Sequence, residues 1–226
     1  TSLIAQLSES NSMNGKLTAT RQKTMYTITH ELRTPLTAIH GYAELIRKSG
    51  TAEIQRHAGS VLQASKRMIA MLNSLLSFFR LENGKERMNI TPFRLQSVAD
   101  ALEAESRPMA ESKDLKLIVE NSTDVILMGD KERIMQIGDN LLSNAIKYTQ
   151  AGSVSFHSGY DGKTLALIVE DTGSGMSEEE QQRVFGEFER LSNAATQDGF
   201  GLGLSIVKRI VDMMHGKIRL ESEKGR

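Results

Sequence analysis

Apolar positions change their spacing along this chain, from helical steps in the first third to a mixture of helical and alternating runs afterwards. Residues 1–24 carry Leu3, Leu7 and Leu17 as sparse apolar positions, a pattern that fits the end of an incoming coiled coil and a frayed terminus equally well. From about residue 20 to 48, Met25, Ile28, Leu32, Leu36, Ile39, Ala43 and Ile46 recur mostly at steps of three and four. At about 100° per residue they fall within a sector of roughly 80°, the apolar stripe of an amphipathic helix. Pro35 cannot donate to the carbonyl of Glu31, so a local bend is expected there. Ser49-Gly50-Thr51 breaks the pattern, and so short a connection favours an antiparallel second helix over residues 53–81. In that helix Ile54, Ala58, Val61, Ser65, Met68, Leu72, Leu75 and Phe79 alternate steps of four and three, with Leu62, Ile69 and Leu76 repeating beside them. One neighbour cannot cover so wide a stripe. Two copies of the hairpin pairing into a dimeric four-helix bundle are therefore expected.

Asn83-Gly84 ends the second helix and residues 85–89 form a polar linker. Beyond it the pattern predicts a helix over 93–110, with a break or bend at Pro108, and strands over 115–120 and 125–128. A helix over 131–148 follows, capped by Asp130. Strands over 153–158 and 164–171 are joined by a turn at Tyr160-Asp161-Gly162. A helix over 204–214 precedes a strand-like run at 217–220. Helices and strands without regular alternation favour a two-layer α/β sandwich over a doubly wound sheet. The expected organisation is an incoming helix or linker at 1–19, a helical hairpin at 20–84 and an α/β domain at 90–226.

Composition narrows the chemistry. The 226 residues are 39% hydrophobic, enough to bury at least one core, and the 28 basic and 28 acidic side chains cancel. No bulk charge therefore draws the chain to nucleic acid or to an anionic membrane. Without cysteine there is no disulfide, thiolate catalysis or cysteine-based zinc site. No apolar run reaches the roughly 18 residues that a spanning helix needs. A first residue that is not Met, and an end soon after a strand-like run, lead to the expectation of a piece of a longer protein.

Four groups of residues carry candidate chemistry. His30 lies opposite the apolar stripe of the first helix, with Thr27, Thr34 and Thr37 on the same polar side and Thr34 one turn onward. Its neutral ring offers a nucleophilic nitrogen, and a solvated surface histidine explains the same position. Asn140, Asn144 and Lys147 share a helical face, where amide oxygens suit Mg²⁺ and an ammonium suits phosphate; a solvated polar face is the alternative. Asp171-Thr172-Gly173-Ser174-Gly175 follows a strand, so its carboxylate could accept from an exocyclic amine, or could simply cap a turn. Gly199-Phe200-Gly201-Leu202-Gly203-Leu204 leads into a helix start whose free amides form an anion site, or it is a flexible loop. It lacks the preceding strand of a dinucleotide fingerprint and the lysine of a Walker loop.

Taken in order, these residues resemble the catalytic core of sensor histidine kinases over nearly the whole chain. His30-Glu31-Leu32-Arg33-Thr34-Pro35-Leu36 resembles the H box of that family, Asn140 to Tyr148 its N box and Phe185 to Arg190 its F box. Asp171 to Gly175 and Gly199 to Gly203 resemble its two glycine boxes. The resemblance implies a homodimeric phosphoacceptor hairpin followed by an ATP-binding domain of the Bergerat, or GHKL, fold, whose final strand is absent here. It implies His30 as phosphoacceptor, Glu31 as base or orienting carboxylate, and Thr34 as the group that positions water for dephosphorylation. Asn140 and Asn144 would serve Mg²⁺, and Lys147 and Arg190 the phosphates of ATP. Tyr148 and Asp171, with Gly173 and Gly175, would hold adenine, and Gly199, Gly201, Leu202, Gly203 and Leu204 the phosphate tail. The implied partner is a response regulator receiver domain, and no nucleic acid. The implied setting is the cytoplasmic portion of a membrane-anchored bacterial sensor, without membrane contact in this segment. Use of nucleotide only for conformational switching, as in other GHKL ATPases, is the alternative reading, and it leaves the His30 box unexplained.

Overall fold

In a computed structural model, which describes residues 32–33, 36–48, 51–82, 87–187, 189 and 201–225, the first apolar stripes form two helices, α1 (residues 36–48) and α2 (Ala52–Glu82). They run antiparallel. Ser65 Oγ donates to the carbonyl of Leu36 at 2.9 Å, and Arg33 reaches Asn73 Oδ1 at 2.5 Å. Leu36 and Ala43 of α1 are buried, as are Ala58, Leu62, Leu72, Leu75 and Leu76 of α2. The stripes are indeed wider than this contact: Ile39, Ile46, Ile54, Val61 and Met68 stay 44–48% exposed along the flank.

The chain divides into two compact units, Thr1–Lys85 and Glu86–Arg226. The second begins with strand β1 (Thr91–Arg94), helix α3 (Gln96–Glu111) and strand β2 (Lys116–Asn121). Strand β3 (Ile126–Gly129), helix α4 (Lys131–Tyr148), strand β4 (Ser153–Tyr160) and strand β5 (Leu165–Asp171) follow. Two further helices, α5 (Glu178–Arg183) and α6 (Gly203–Met213), complete the described elements. β1 and β3 make an antiparallel pair, while β2, β4 and β5 form a sheet with β4 central, parallel to β2 and antiparallel to β5. The parallel connection from β2 to β4 contains both β3 and α4. Val154 and Phe156 of β4 are fully buried beneath α3 and α4, and with Leu95, Val98, Leu102, Leu142 and Ile146 they make the core. The result is the expected sandwich, one sheet layer under one helix layer.

Three expectations need correction. The helix foreseen from residue 93 starts at Gln96. Phe93 instead lies in β1, paired with Leu127 and buried, and Pro92 is tolerated there because that strand pairs on one side only. Nor does Pro108 break α3, which continues to Glu111. The lost hydrogen bond is close to the helix end, and the buried row Val98, Ala99, Leu102, Ser106 and Ala110 holds the helix down. Among the described residues, 217–220 pair with no strand, and an extended run without a ladder is not a strand. Instead the following residues fold onto the segment after β5: Ser222 Oγ accepts from Met176 N at 2.9 Å, Gln181 donates to the carbonyl of Ser222 at 2.8 Å, and Gly225 N donates to the carbonyl of Ser174 at 2.9 Å.

Candidate functional site

Helix α4 is the scaffold of the site, and both its ends are fastened. At its start Asp130 is buried; its Oδ1 accepts from Arg133 N at 3.1 Å and its Oδ2 from Asn89 N at 2.9 Å, so one carboxylate caps the helix and ties down the preceding segment. At its far end the ammonium of Lys113 donates to the carbonyls of Ile146, Lys147 and Thr149 at 2.8, 2.8 and 3.1 Å. Those carbonyls have no partner within the helix, and a cation is favoured at that end of the dipole. Ile134, Ile137, Leu142, Ala145 and Ile146 bury one side of α4, which leaves Asn140, Asn144, Lys147 and Tyr148 partly exposed.

Two loops meet that polar face. At one end lies the start of α6, where Leu202 is buried and Ser205 Oγ donates back to its carbonyl at 2.9 Å. A Cβ placed on Gly203 would lie 2.9 Å from Asn140 Oδ1 and 3.5 Å from Asn144 Nδ2. Asn140 donates its Nδ2 to the carbonyl of Gln136 at 2.7 Å, and its Oδ1 lies on the side of Gly203 at the start of α6. Gly201, with φ of 69°, supplies the left-handed turn before the helix, and Leu204 lies in its first turn. At the other end Asp171 closes β5, and its Oδ1 accepts from Gly173 N at 2.8 Å, leaving Oδ2 free to take another donor. A Cβ on Gly173 would come 2.6 Å from Asp171 Oδ1, 3.0 Å from the Tyr148 carbonyl and 3.4 Å from Thr149 Oγ1. The glycine thus brings the loop against the end of α4. Gly175, with φ of 63°, is held by close contact with the backbone of Glu223. Between the two ends, Lys147 sits 4.5 Å over the ring of Tyr148 and donates to its hydroxyl at 3.0 Å.

On the opposite side of α4, burial and then the nearby charge of Glu105 push the Asp139 carboxyl up to about 6, so the helix presents acid to α3 and amides to the glycine loops. Among the described residues no group of three His, Asp or Glu is arranged to hold a metal, and the side-chain oxygens of Asn140 and Asn144 are of the hard type that suits Mg²⁺. The other histidines lie elsewhere: His57 is 3.9 Å from Glu53, and His157 is 3.2 Å from Glu120 and 4.0 Å from Glu170. The structure therefore gathers Asn140, Asn144, Lys147, Tyr148, Asp171, Gly173, Gly201, Leu202, Gly203 and Leu204 around one helix, and Gly175 shares the Asp171 loop. His30, Glu31, Thr34, Phe188, Arg190 and Gly199 lie outside the described residues.

Sequence reasoning missed three features. Helix α5 carries a capping box, with Ser177 and Glu180 each accepting from the other's backbone, and its Ser-x-x-Glu spacing was readable. Lys113 gave no signal, because its carbonyl partners lie 33 to 36 residues away. Nor did Thr149, which reads as an ordinary residue after a helix yet is fully buried, with its hydroxyl unpartnered.

Known proteins share this arrangement. The family model described as histidine kinase-, DNA gyrase B- and HSP90-like ATPase matches residues 129–226, and that of the His Kinase A (phospho-acceptor) domain matches residues 20–84. The autoinducer 2 sensor kinase/phosphatase LuxQ of Vibrio parahaemolyticus is 36% identical over 209 residues, 88% of this chain and 24% of that protein. The sensor histidine kinase RcsC of Salmonella typhimurium is 33% identical over 214 residues, 92% of this chain and 23% of its own length. The chain thus spans about a quarter of the curated relatives that it matches. Among solved structures, full-length ShkA in complex with AMPPNP superposes with a TM-score of 0.78 at 28% identity, covering 90% of this chain and 43% of that one. The Acinetobacter baumannii histidine kinase AdeS shares the fold, with a TM-score of 0.60 at 24% identity over 87% of this chain and 92% of its own. Carrying a phosphoacceptor-type helical hairpin followed by an α/β unit of the histidine kinase ATPase type, the chain belongs to the sensor histidine kinase family.

Proposed function

We propose that this chain is the kinase core of a two-component sensor, which phosphorylates its own His30 from ATP and passes the phosphoryl group to an aspartate of a response regulator. The observation that supports it most is the convergence on α4, where Gly203 at the start of α6 comes close to Asn140 and Asn144 at one end and Gly173 of the Asp171 loop comes close to Tyr148 and Thr149 at the other. Nine residues of helix, Asn140 to Tyr148, cover about 12 Å, which matches a nucleotide laid along the helix with its base at Asp171 and its phosphates at Gly203.

In this reading Asp171 Oδ2 accepts from the exocyclic amine of adenine, and the ring lies against Tyr148 and the glycines at 173 and 175. The amides at the start of α6, with Gly199, Gly201, Leu202, Gly203 and Leu204, receive the phosphates. Lys147 exchanges its contact with the Tyr148 hydroxyl for a phosphate oxygen, and Arg190 adds a second cation. The free Oδ1 of Asn140 and the amide of Asn144 fit Mg²⁺, which when bound neutralises phosphate charge. His30 attacks the γ-phosphorus through its ring nitrogen while the bond to the leaving ADP oxygen breaks, and Glu31 holds the ring in orientation or takes its proton. Thr34, one helical turn onward, positions the water that later hydrolyses the phosphorylated regulator.

The proposed domains are 1–19 as incoming helix, 20–84 as dimerisation and phosphotransfer hairpin and 90–226 as ATP-binding domain. The hairpins of two copies pair into a four-helix bundle, in the cytoplasmic portion of a membrane-anchored bacterial sensor. Among the described residues no helix is long and apolar enough to cross a membrane. The test is incubation with γ-labelled ATP. Wild type is expected to gain acid-labile label and His30→Gln none, and label passes to a receiver domain on mixing. Equal label on both forms overturns the assignment of His30, and steady phosphate release without labelled protein favours the switching ATPase.

A further inference from the structure

Strand β2 is an edge of its sheet. It pairs with β4 on one side and, among the described residues, with no strand on the other. The ladder fixes which backbone groups are left over. Lys116 N donates to the carbonyl of Gly152 at 3.0 Å and, just beyond the strand, Ser122 N donates to that of Ser158 at 2.9 Å, so residues 116, 118 and 120 turn their N–H and C=O groups to β4. Leu117, Val119 and Asn121 turn theirs to the open side. Edges are often blunted by a proline, a bulge or a charge in mid-strand, as β1 is by Pro92. Lys116-Leu117-Ile118-Val119-Glu120-Asn121 has none of these: its register against β4 is unbroken, and its charges flank an apolar centre.

The side chains of this edge say which strand it accepts. Leu117 and Val119 pack against the core, so Lys116, Ile118 and Glu120 lie on the opposite face of the sheet, where Lys116 and Glu120 are exposed. A second β2 running antiparallel can bond only through the same outward-turned groups, which puts a two-fold axis through residue 117, 118 or 119. With the axis at 117, Lys116 faces Ile118; with the axis at 119, Ile118 faces Glu120. Each of these sets a charge against an isoleucine. With the axis at 118, Lys116 of each copy faces Glu120 of the other, and Leu117 and Val119 exchange both backbone hydrogen bonds across the join. Glu120 holds His157 Nδ1 at 3.2 Å through one carboxylate oxygen, and its second oxygen can take the ammonium.

We infer that β2 is a self-association edge: two copies of this chain pair β2 with β2 antiparallel about a two-fold axis at Ile118, which joins two three-stranded sheets into one continuous sheet. The contact uses neither the apolar flank of the hairpin nor the residues assigned to nucleotide. Chains already paired through their hairpins can therefore be linked further through their α/β units. One short strand from each copy buries little surface, so the association is weak and acts where many copies are held close together.

The chain contains no cysteine, so single-cysteine cross-linking of the full chain reads the register directly. In the inferred pairing residue 118 faces its own copy in a non-hydrogen-bonded pair, with Cα atoms about 4.5 Å apart, a separation that a disulfide spans. In a glutathione redox buffer at high protein concentration, Ile118→Cys is expected to form disulfide-linked dimers about tenfold faster than Ile168→Cys, whose site is exposed on the same face two strands away. Adding Lys116→Glu to Ile118→Cys brings like charges together at both ends of the join and is expected to slow the cross-linking about tenfold; adding Glu120→Lys as well is expected to restore it. Hydrogen exchange of the unaltered chain gives a second reading that needs no variant. The amides of Leu117 and Val119 are expected to exchange more slowly as protein concentration rises. Cross-linking at 118 no faster than at 168, or indifferent to the charge swap, overturns the inference, as does protection of these amides that appears only when a different protein is added.

Discussion

Asp161 shows how one side chain governs a distant one. Its Oδ1 accepts from Thr164 N at 2.7 Å and Lys163 N at 2.8 Å, closing the turn between β4 and β5, and Gly162 takes the left-handed conformation that the turn needs. The turn sets the pairing from Tyr160 with Leu165 through to Val154 with Asp171, and a slip of one residue would move Asp171 to the other face of the sheet. The backbone donors of Thr164 and then Lys163 hold the Asp161 carboxyl below its ordinary range. A lowered carboxylate contributes stability that is present above its unfolded value, near 4, and is lost as pH falls through the folded one. Asp161→Ala is therefore expected to melt below wild type at pH 7, the difference closing in acid, whereas Asp161→Asn keeps the acceptor and most of the neutral-pH stability. Thermal melts at pH 7 and about pH 2 measure both effects.

Among the elements, α4 gathers most of the site, and its exit depends on Lys113. Removing that ammonium leaves carbonyls of Ile146, Lys147 and Thr149 without their cap, so Lys113→Met is expected to lower stability by about 1–2 kcal/mol and to weaken nucleotide binding. Denaturant titration and calorimetry read the two losses. Much of this element was legible in the sequence, because the Asp130 cap, the apolar stripe of Leu142, Ala145 and Ile146 and the polar steps at 140, 144 and 147 are local and periodic. The start of α3 was not. Phe93 continues the apolar pattern of the helix, and only its pairing with Leu127, 34 residues onward in sequence, makes it a strand residue. The fold-back of Ser222 and Gly225 onto the segment after β5 was equally hidden, since it consists of isolated hydrogen bonds, two with a side chain and one between backbones, rather than a repeating stripe.

For the whole molecule, the hairpin flank is decisive. Ile39, Ile46, Ile54, Val61 and Met68 keep 44–48% of their surface exposed, more apolar flank than a lone hairpin needs. In a two-fold bundle each of these positions is buried twice, so Val61→Glu with Met68→Glu is expected to turn a dimer into a monomer at micromolar concentration, as sedimentation velocity would show. The α/β unit has a different dependence. β2 meets its parallel neighbour β4 only after β3 and α4 have been threaded between them. A nascent chain halted before Ser153 therefore carries the asparagine helix with no central strand to lie on. The pocket and the sheet then arise in one late event during synthesis, and hydrogen exchange of bound protein is expected to slow across β2, β4 and α4 together rather than at the rim alone.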